Sequence, residues 1–232
     1  MKAIIRLLRS VLTGAPRYPR KYVPSIKIEA SEAYWLWDER VSASQVYPVV
    51  VIKNLIDITQ HGFFAGHPLP EELPPFQLKA LSKSPLPDYF EAGIFRFISA
   101  RLKRHLEEMQ VSGFECRPAH IKHRGQTLTD THFYFHVYQM VDCFDLVHST
   151  YEMDTGPKGP YISKIRVLHL DESKIGDHPL FHVGTPGAEY NLIVSDALAE
   201  SLLRSKFIGC GFKLPADIEN YFEAPRYKTL SS

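Results

Sequence analysis

The chain has 232 residues, of which 44% are hydrophobic, and its formal net charge is +1 at pH 7. This length allows one large domain or two small ones, and the near-neutral charge argues against a general nucleic-acid binder, which normally carries a basic excess. The three cysteines (Cys116, Cys143 and Cys210) are widely spaced. That spacing predicts reduced thiols instead of a disulfide framework or a CxxC metal site.

The first sixty residues are predicted to be an N-terminal segment of the same domain as residues 61–232. Residues 2–12 have the apolar spacing of a short helix, but Arg6 and Arg9 interrupt the uncharged run that a signal peptide needs. Nothing else in the sequence approaches the length of a membrane span. We therefore predict a cytoplasmic protein with no membrane partner and no direct nucleic-acid partner.

A weak strand is predicted next, around Ile26–Ile28, and it is followed by an aromatic cluster in the segment AYWLWDE. Trp35 and Trp37 alternate in this cluster, so on a strand they would share one face. The pair fits either of two interpretations. Most such pairs belong to a core, whereas an exposed pair is a natural binding anchor, and so both tryptophans are candidate partner-binding residues.

The segment from Val46 to Ile58 is apolar and β-branched, and Pro48 suggests that this strand lies at a sheet edge or begins there. Six prolines follow between His61 and Pro87, and proline cannot donate a backbone hydrogen bond. We predict a long loop that either packs over the domain as a strap or has a function.

The stretch from Thr131 to Tyr151 is rich in aromatic and β-branched residues and contains no glycine or proline. It predicts one long strand, with alternate side chains on opposite faces. Residues 162–170 alternate similarly and are predicted to pair back on it as a hairpin. The intervening loop, residues 152–160, is predicted to be exposed, and its acidic Glu152 and Asp154 are candidate partner contacts.

A strand–helix–strand unit occurs twice, in residues 94–118 and 190–215. Each copy has a serine suited to cap a helix, leucines three and seven residues later, a glycine fourteen residues later and a closing proline: Ser99, Leu102, Leu106, Gly113 and Pro118, then Ser195, Leu198, Leu202, Gly209 and Pro215. We interpret this as an internal duplication. It predicts an α+β domain in which helices pack on a mixed or antiparallel sheet.

Possible chemistry centres on Asp142, Asp145 and His148. Acids within an apolar segment need partners, so the two aspartates are expected either to accept structural hydrogen bonds or to face a binding partner. A hydrolase or transferase that uses all three residues is the alternative. A metal site is disfavoured because His132 and His136 would be about 13 Å apart on a strand with a rise of roughly 3.3 Å per residue.

No phosphate-binding, dinucleotide-binding or serine-hydrolase motif is present, so we predict no cofactor, no metal and no catalytic residue.

The sequence resembles one family of the immunity proteins of bacterial polymorphic toxin systems, the family numbered eleven, formerly a domain of unknown function. The similarity extends from about Gly62 to Leu214. Its blocks, in order, are HGFFAGHPLPEELPPFQL, LPDYF, VDCFDLVHS, KIRVLHLDESKIGDHPLFHV and LIVSDALAESLLRSKFIGCGF. The last block is the most specific, with a valine and a serine before an amphipathic helix and a glycine-aromatic strand after it.

The resemblance implies a stoichiometric inhibitor and not an enzyme. Such a protein binds a cognate secreted toxin, often over the active site, and protects the producing bacterium during interbacterial competition, for example by type VI secretion. The sequence motifs that carry the resemblance look like determinants of the fold. Partner contacts are therefore expected in this chain's own features: Trp35, Trp37, Asp142, Asp145, Glu152 and Asp154.

Overall fold

The structure is a computed structural model that describes residues 26–28, 33–39, 50–54, 66–81, 83–157, 159–218, 226–228 and 230. Of this part of the chain, 47% is in strands. The predicted α+β class with helices packed on a sheet is therefore wrong, because the layers that enclose the core are sheets. The predicted helix at residues 2–12 lies outside the described residues.

The larger of two mixed sheets joins both ends of the described chain. Its seven strands run in the order β1 (Ile26–Ile28), β15 (Arg226–Lys228), β14 (Cys210–Lys213), β2 (Tyr34–Glu39), β13 (Leu192–Ser195), β12 (Leu180–Val183) and β9 (Met140–Val141). Strand β2 pairs antiparallel with both β13 and β14. The weak strand predicted around Ile26 is confirmed. The aromatic cluster AYWLWDE forms strand β2, which inserts into the C-terminal half of the fold.

The second sheet is formed by the middle of the chain. Its six strands run in the order β3 (Val50–Ile52), β4 (Phe76–Ala80), β7 (Phe114–His123), β8 (Gln126–Val137), β6 (Phe95–Ser99) and β5 (Tyr89–Ala92). Strand β3 lies at the sheet edge, as Pro48 suggested. The loop-like stretch predicted over residues 61–87 is interrupted by β4, whose alternating FQLKA sequence buries every second side chain.

A two-stranded ribbon, β10 (Thr150–Gly156) and β11 (Gly159–Val167), pairs with neither sheet. The long strand predicted over residues 131–151 is thus wrong beyond Val137. The amides of Tyr138 and Gln139 both donate to the Gly113 carbonyl, which ends the β8 ladder there. As a result, residues 159–167 pair with 150–156 and not with β8, and residues 152–156 are strand instead of loop.

Two α-helices occur in the described residues, α1 (Ala100–Glu108) and α2 (Asp196–Arg204). In both repeated units the serine hydroxyl caps its helix, because it accepts a hydrogen bond from the backbone amide three residues later. The Leu102 amide donates to Ser99 at 3.1 Å, and the Leu198 amide donates to Ser195 at 3.3 Å. Both glycines that follow the helices adopt positive φ. The units therefore share local geometry, although their origin by duplication stays a prediction.

The core has three parts. The inter-sheet core lies between the two sheets and contains the helix leucines; its members include Trp35, Trp37, Tyr89, Leu102, Phe135, Leu198 and Phe212. The strap core covers the other face of the six-stranded sheet and includes Leu69, Leu73, Phe76, Phe97 and Tyr134. The ribbon core lies on the outer face of the seven-stranded sheet and includes Leu36, Cys143, Phe144, Ile162, Phe181 and Ile193.

The segment before β4 is a covering strap. Leu69 and Leu73 are buried in the strap core, and the Leu69 amide donates to the Glu115 carboxylate on β7. This is one of the two roles that the proline-rich sequence allowed.

Candidate partner-binding surface

Trp35 and Trp37 lie in the inter-sheet core, with 0% and 2% of their surfaces exposed. The Trp37 ring contacts Tyr89, Phe135 and Phe212, at centroid distances of 5.2 to 5.7 Å. Of the two interpretations of the pair, the structure shows the core one. A partner cannot reach either ring while the domain is folded.

Asp145 organises an exposed turn between β9 and β10. Its carboxylate accepts the amides of Val147 at 2.9 Å and His148 at 3.0 Å, and Nδ1 of His148 donates to its other oxygen at 2.6 Å. The hydrogen bond from the His148 side chain, together with these amides, lowers the pKa of Asp145 to about 2. Asp145 thus accepts structural hydrogen bonds, which is one of the two roles expected for it. The turn that it organises presents Leu146 and Val147 to solvent.

The turn is fastened to the chain that follows β11. The Asp145 amide and the Ser149 hydroxyl both donate to the His169 carbonyl, at 3.0 and 3.2 Å, and the His169 amide donates back to Ser149 Oγ at 2.9 Å. Phe144 forms an isolated antiparallel bridge with Leu170. The apolar turn is thus held at the base of the ribbon.

The outer face of the ribbon carries acids on β10 and bases on β11. Glu152 is in register with Lys164 and forms an ion pair with Arg166, in which both side chains are half exposed. Further along, Tyr161 donates to Asp154 at 3.4 Å. Exposed ion pairs contribute little to stability, so these charges are available for a partner.

The inner face of the ribbon holds it on the protein. Ile162 is buried in the ribbon core, and its amide donates to the Pro186 carbonyl at 2.8 Å. Tyr151 packs edge-on against Phe144, with ring centroids 5.3 Å apart. One face is therefore anchored while the other is open to solvent.

Apolar groups add to this surface. Of the exposed large hydrophobic residues in the described chain, four lie in the turn and the ribbon: Leu146, Val147, Met153 and Tyr161. Val147 is 84% exposed, the largest value among them. We define the turn–ribbon surface as residues 145–149, 152–154, 161, 164 and 166. Clustered apolar groups beside charges are typical of a protein interface.

The acidic residues of this surface were predicted from the sequence, but its apolar residues were not. Leu146 and Val147 lie in what looked like a continuous strand, so nothing suggested that they were exposed. The available signal was the sequence DLVHS, in which an aspartate followed by a histidine and a serine is suited to an Asx turn.

Asp142 lies apart from this network. It is exposed and accepts a hydrogen bond from the Thr185 hydroxyl at 2.7 Å. The hydrolase alternative requires Asp142, Asp145 and His148 to surround one substrate. Asp145 and His148 are hydrogen-bonded to each other, whereas Asp142 is bonded to Thr185 and not to either of them.

His132 and His136 are core histidines. Their Nε2 atoms donate to the carbonyls of Pro87 at 3.1 Å and His67 at 2.7 Å, and burial lowers the pKa of both rings. In the described part of the chain no group of three histidine, cysteine, aspartate or glutamate residues is arranged to hold a metal ion.

A comparison with protein-family models matches residues 27–217 to the Immunity protein family (Imm11). The match covers well over half of the chain and confirms the resemblance found in the sequence. A search of curated proteins finds no match. None of the described helices is long and apolar enough to span a membrane.

Proposed function

Since this chain belongs to the Imm11 immunity protein family, we propose that it binds and neutralises a cognate bacterial toxin. The family match over residues 27–217 carries this proposal. The chain would act by forming a one-to-one complex in the cytosol and covering the toxin's active site, not by catalysis. Its role would be to protect the producer from a toxin delivered between competing bacteria.

We further propose that the turn–ribbon surface contacts the toxin. The surface combines an apolar turn held rigidly by Asp145 with a ribbon whose outer face carries charges of both signs. Apolar groups supply most of the binding energy at such interfaces, while charged groups set partner choice and association rate.

The first experiment is co-expression in a bacterium. The gene immediately upstream is expressed alone and then together with this protein. We expect the upstream product to kill and this chain to restore growth, with residual toxin activity falling to zero near one equivalent in a titration of the purified proteins. A harmless upstream product, or toxin activity that persists with soluble protein in excess, would overturn the immunity proposal.

The contact surface is tested by charge reversal. Glu152→Lys combined with Asp154→Lys should weaken toxin binding at least tenfold, about 1.4 kcal/mol, because it places like charges opposite the partner's complementary groups. The matched control is Glu72→Lys with Glu108→Lys, since both glutamates are exposed and lie outside the surface. Equal weakening by the two double variants would show that net charge matters and the ribbon does not.

The apolar turn is tested by Val147→Asp. Loss of a central apolar contact typically costs about 2 kcal/mol, so we expect roughly a thirtyfold increase in Kd, measured by titration calorimetry. Leu81→Asp is the control because Leu81 is also well exposed but lies on the six-stranded sheet side. Unchanged toxin affinity in Val147→Asp would remove the turn from the interface.

A further inference from the structure

A second surface, on the six-stranded sheet, concentrates positive charge. An open groove of about 340 Å³ crosses strands β3, β4, β7 and β8. It is lined by Lys53, Gln77, Leu78, Lys79, His120, Lys122 and Thr127. We call it the lysine groove. Its described lining contains donors and cationic groups but no carboxylate.

The register explains how the lysines come together. Strands β4 and β7 are parallel, with Gln77 beside His120 and Lys79 beside Lys122. The Lys53 amide donates to the Gln77 carbonyl at 2.7 Å, which places a third lysine beside β4, directly after the end of strand β3. Neighbouring strands are about 4.8 Å apart, so the cationic side chains share one patch.

None of these three lysines forms an ion pair within the described residues, whereas Arg101, Lys103 and Arg166 each do. The Lys79–Lys122 juxtaposition is also unfavourable, because like charges on adjacent strands destabilise a sheet. An anionic ligand would relieve this repulsion.

We propose that the lysine groove binds an acidic segment of a partner protein, with successive aspartate or glutamate carboxylates placed against Lys53, Lys79 and Lys122. This goes beyond the turn–ribbon surface, which lies on the other sheet. The three ammonium groups are separate point charges that suit several carboxylates better than one compact anion.

Two other anionic ligands fit less well. Single-stranded nucleic acid normally uses aromatic side chains on which bases stack, and the described lining has no tryptophan, tyrosine or phenylalanine. A phosphate group is usually held by free backbone amides at a helix N-terminus or in a nest. Here β4 and β7 are each paired on both sides, so their amides belong to the sheet ladders.

The test uses a fluorescently labelled peptide of ten glutamates and fluorescence anisotropy on the full chain. We expect the wild-type protein to bind the peptide, with an affinity that falls as salt rises from 50 to 200 mM. Lys79→Gln with Lys122→Gln should weaken binding at least tenfold and should not lower the Tm, because it removes a like-charge contact. Amide chemical shifts of the wild-type protein should change at residues 77–79 and 120–122 when the peptide is added.

The matched control is Lys174→Gln with Arg204→Gln, which removes the same charge from exposed sites elsewhere and should change affinity less than twofold. Absence of peptide binding by wild type, or equal weakening by both double variants, would overturn the proposal. Tighter binding of a ten-nucleotide thymidine strand, or complete displacement of the peptide by millimolar inorganic phosphate, would likewise overturn it in favour of those ligands. Because the assay needs no toxin, its outcome is independent of the rescue experiment.

Discussion

Asp88 joins the two repeated units through a single carboxylate. It accepts hydrogen bonds from the Ser99 hydroxyl at 2.7 Å, from Arg101 Nη2 at 2.7 Å and from the Ile208 amide at 2.8 Å. Burial opposes ionisation of this group, but the hydrogen bonds from Arg101, Ser99 and Ile208 outweigh it and lower the pKa of Asp88. The ionised carboxylate is therefore part of the folded structure.

Asp88→Asn should lower the free energy of unfolding by about 2 kcal/mol at pH 7, since hydrogen bonds to charged groups contribute about 1.5 to 3 kcal/mol. The pKa of Asp88 is lower in the folded state than its ordinary value of 3.8. Its contribution is thus complete above pH 4 to 5 and is lost as the pH falls below that range. Urea unfolding at pH 7 and pH 3 should show the gap between wild type and variant narrowing with acid.

Asp177→Asn is the control for this comparison because Asp177 is exposed, and it should match wild type at both pH values. A gap between wild type and Asp88→Asn that is equally wide at pH 7 and pH 3 would contradict a role for the ionised form.

Single residues were predictable where the signal is local. Ser99 and Ser195 cap helices as their spacing predicted, because capping depends only on the residues of one turn. The positions of Trp35 and Asp142 were not decided by sequence. Alternation gives the shared face of a strand, but which face is buried depends on the layer that packs against it.

At the scale of elements, the attachment of the ribbon depends on Gly187. Its φ is +90°, and a Cβ there would collide with the carbonyl oxygen of Ile162 and lie 2.8 Å from the amide nitrogen. The loop that contains Gly187 thus approaches the backbone of β11 so closely that no side chain fits between them. Glycine is required there for both conformation and space.

Gly187→Ala should therefore lower the free energy of unfolding by at least about 3 kcal/mol and loosen the ribbon. Hydrogen exchange should accelerate at the amides of β10 and β11 more than at those of β13. Gly125→Ala separates strain from collision, because Gly125 has φ +81° but no neighbour within 4 Å of a Cβ. It should cost about 1 kcal/mol. Equal costs for the two variants would show that the close approach does not hold the ribbon.

The ribbon also shows why the predicted hairpin failed. The sequence from Thr131 to Tyr151 has the composition of one strand, yet β8 ends at Val137 because the carbonyl of Gly113, directly before β7, accepts the next two amides. These hydrogen bonds join residues 25 and 26 positions apart. Composition correctly indicates that these residues form strands. It cannot show that a distant carbonyl group takes the amides that would continue the strand.

At the scale of the whole molecule, the sheets depend on pairings between distant parts of the chain. Strand β2 lies between β13 and β14, although more than 150 residues separate β2 from either of these strands in the sequence. Local patterns revealed the two helices but not the sheets that enclose the core, and so the predicted class gave the helices too much weight. The family could still be identified, because its motifs are short and their order along the chain can be recognised without knowing which strands pair.

The three cysteines lie in two different parts of the core, so their reactivity can show which part opens first. Cys143 is buried in the ribbon core, whereas Cys210 is buried in the inter-sheet core and Cys116 packs against it. Burial raises the pKa of Cys116 and of Cys143 to about 12 and also raises the pKa of Cys210. Very little reactive thiolate therefore exists at pH 8 in the folded protein.

We expect none of the thiols to react rapidly with a disulfide reagent such as Ellman's reagent at pH 8, and all three to react in 6 M guanidinium. In Gly187→Ala, mass spectrometry should detect modification at Cys143 before Cys210, because the ribbon layer opens while the sheets stay packed. Simultaneous modification of both would mean that the molecule unfolds as one unit and that the ribbon is not a separate layer. Immediate modification of Cys210 in the wild-type protein would contradict the inter-sheet core itself.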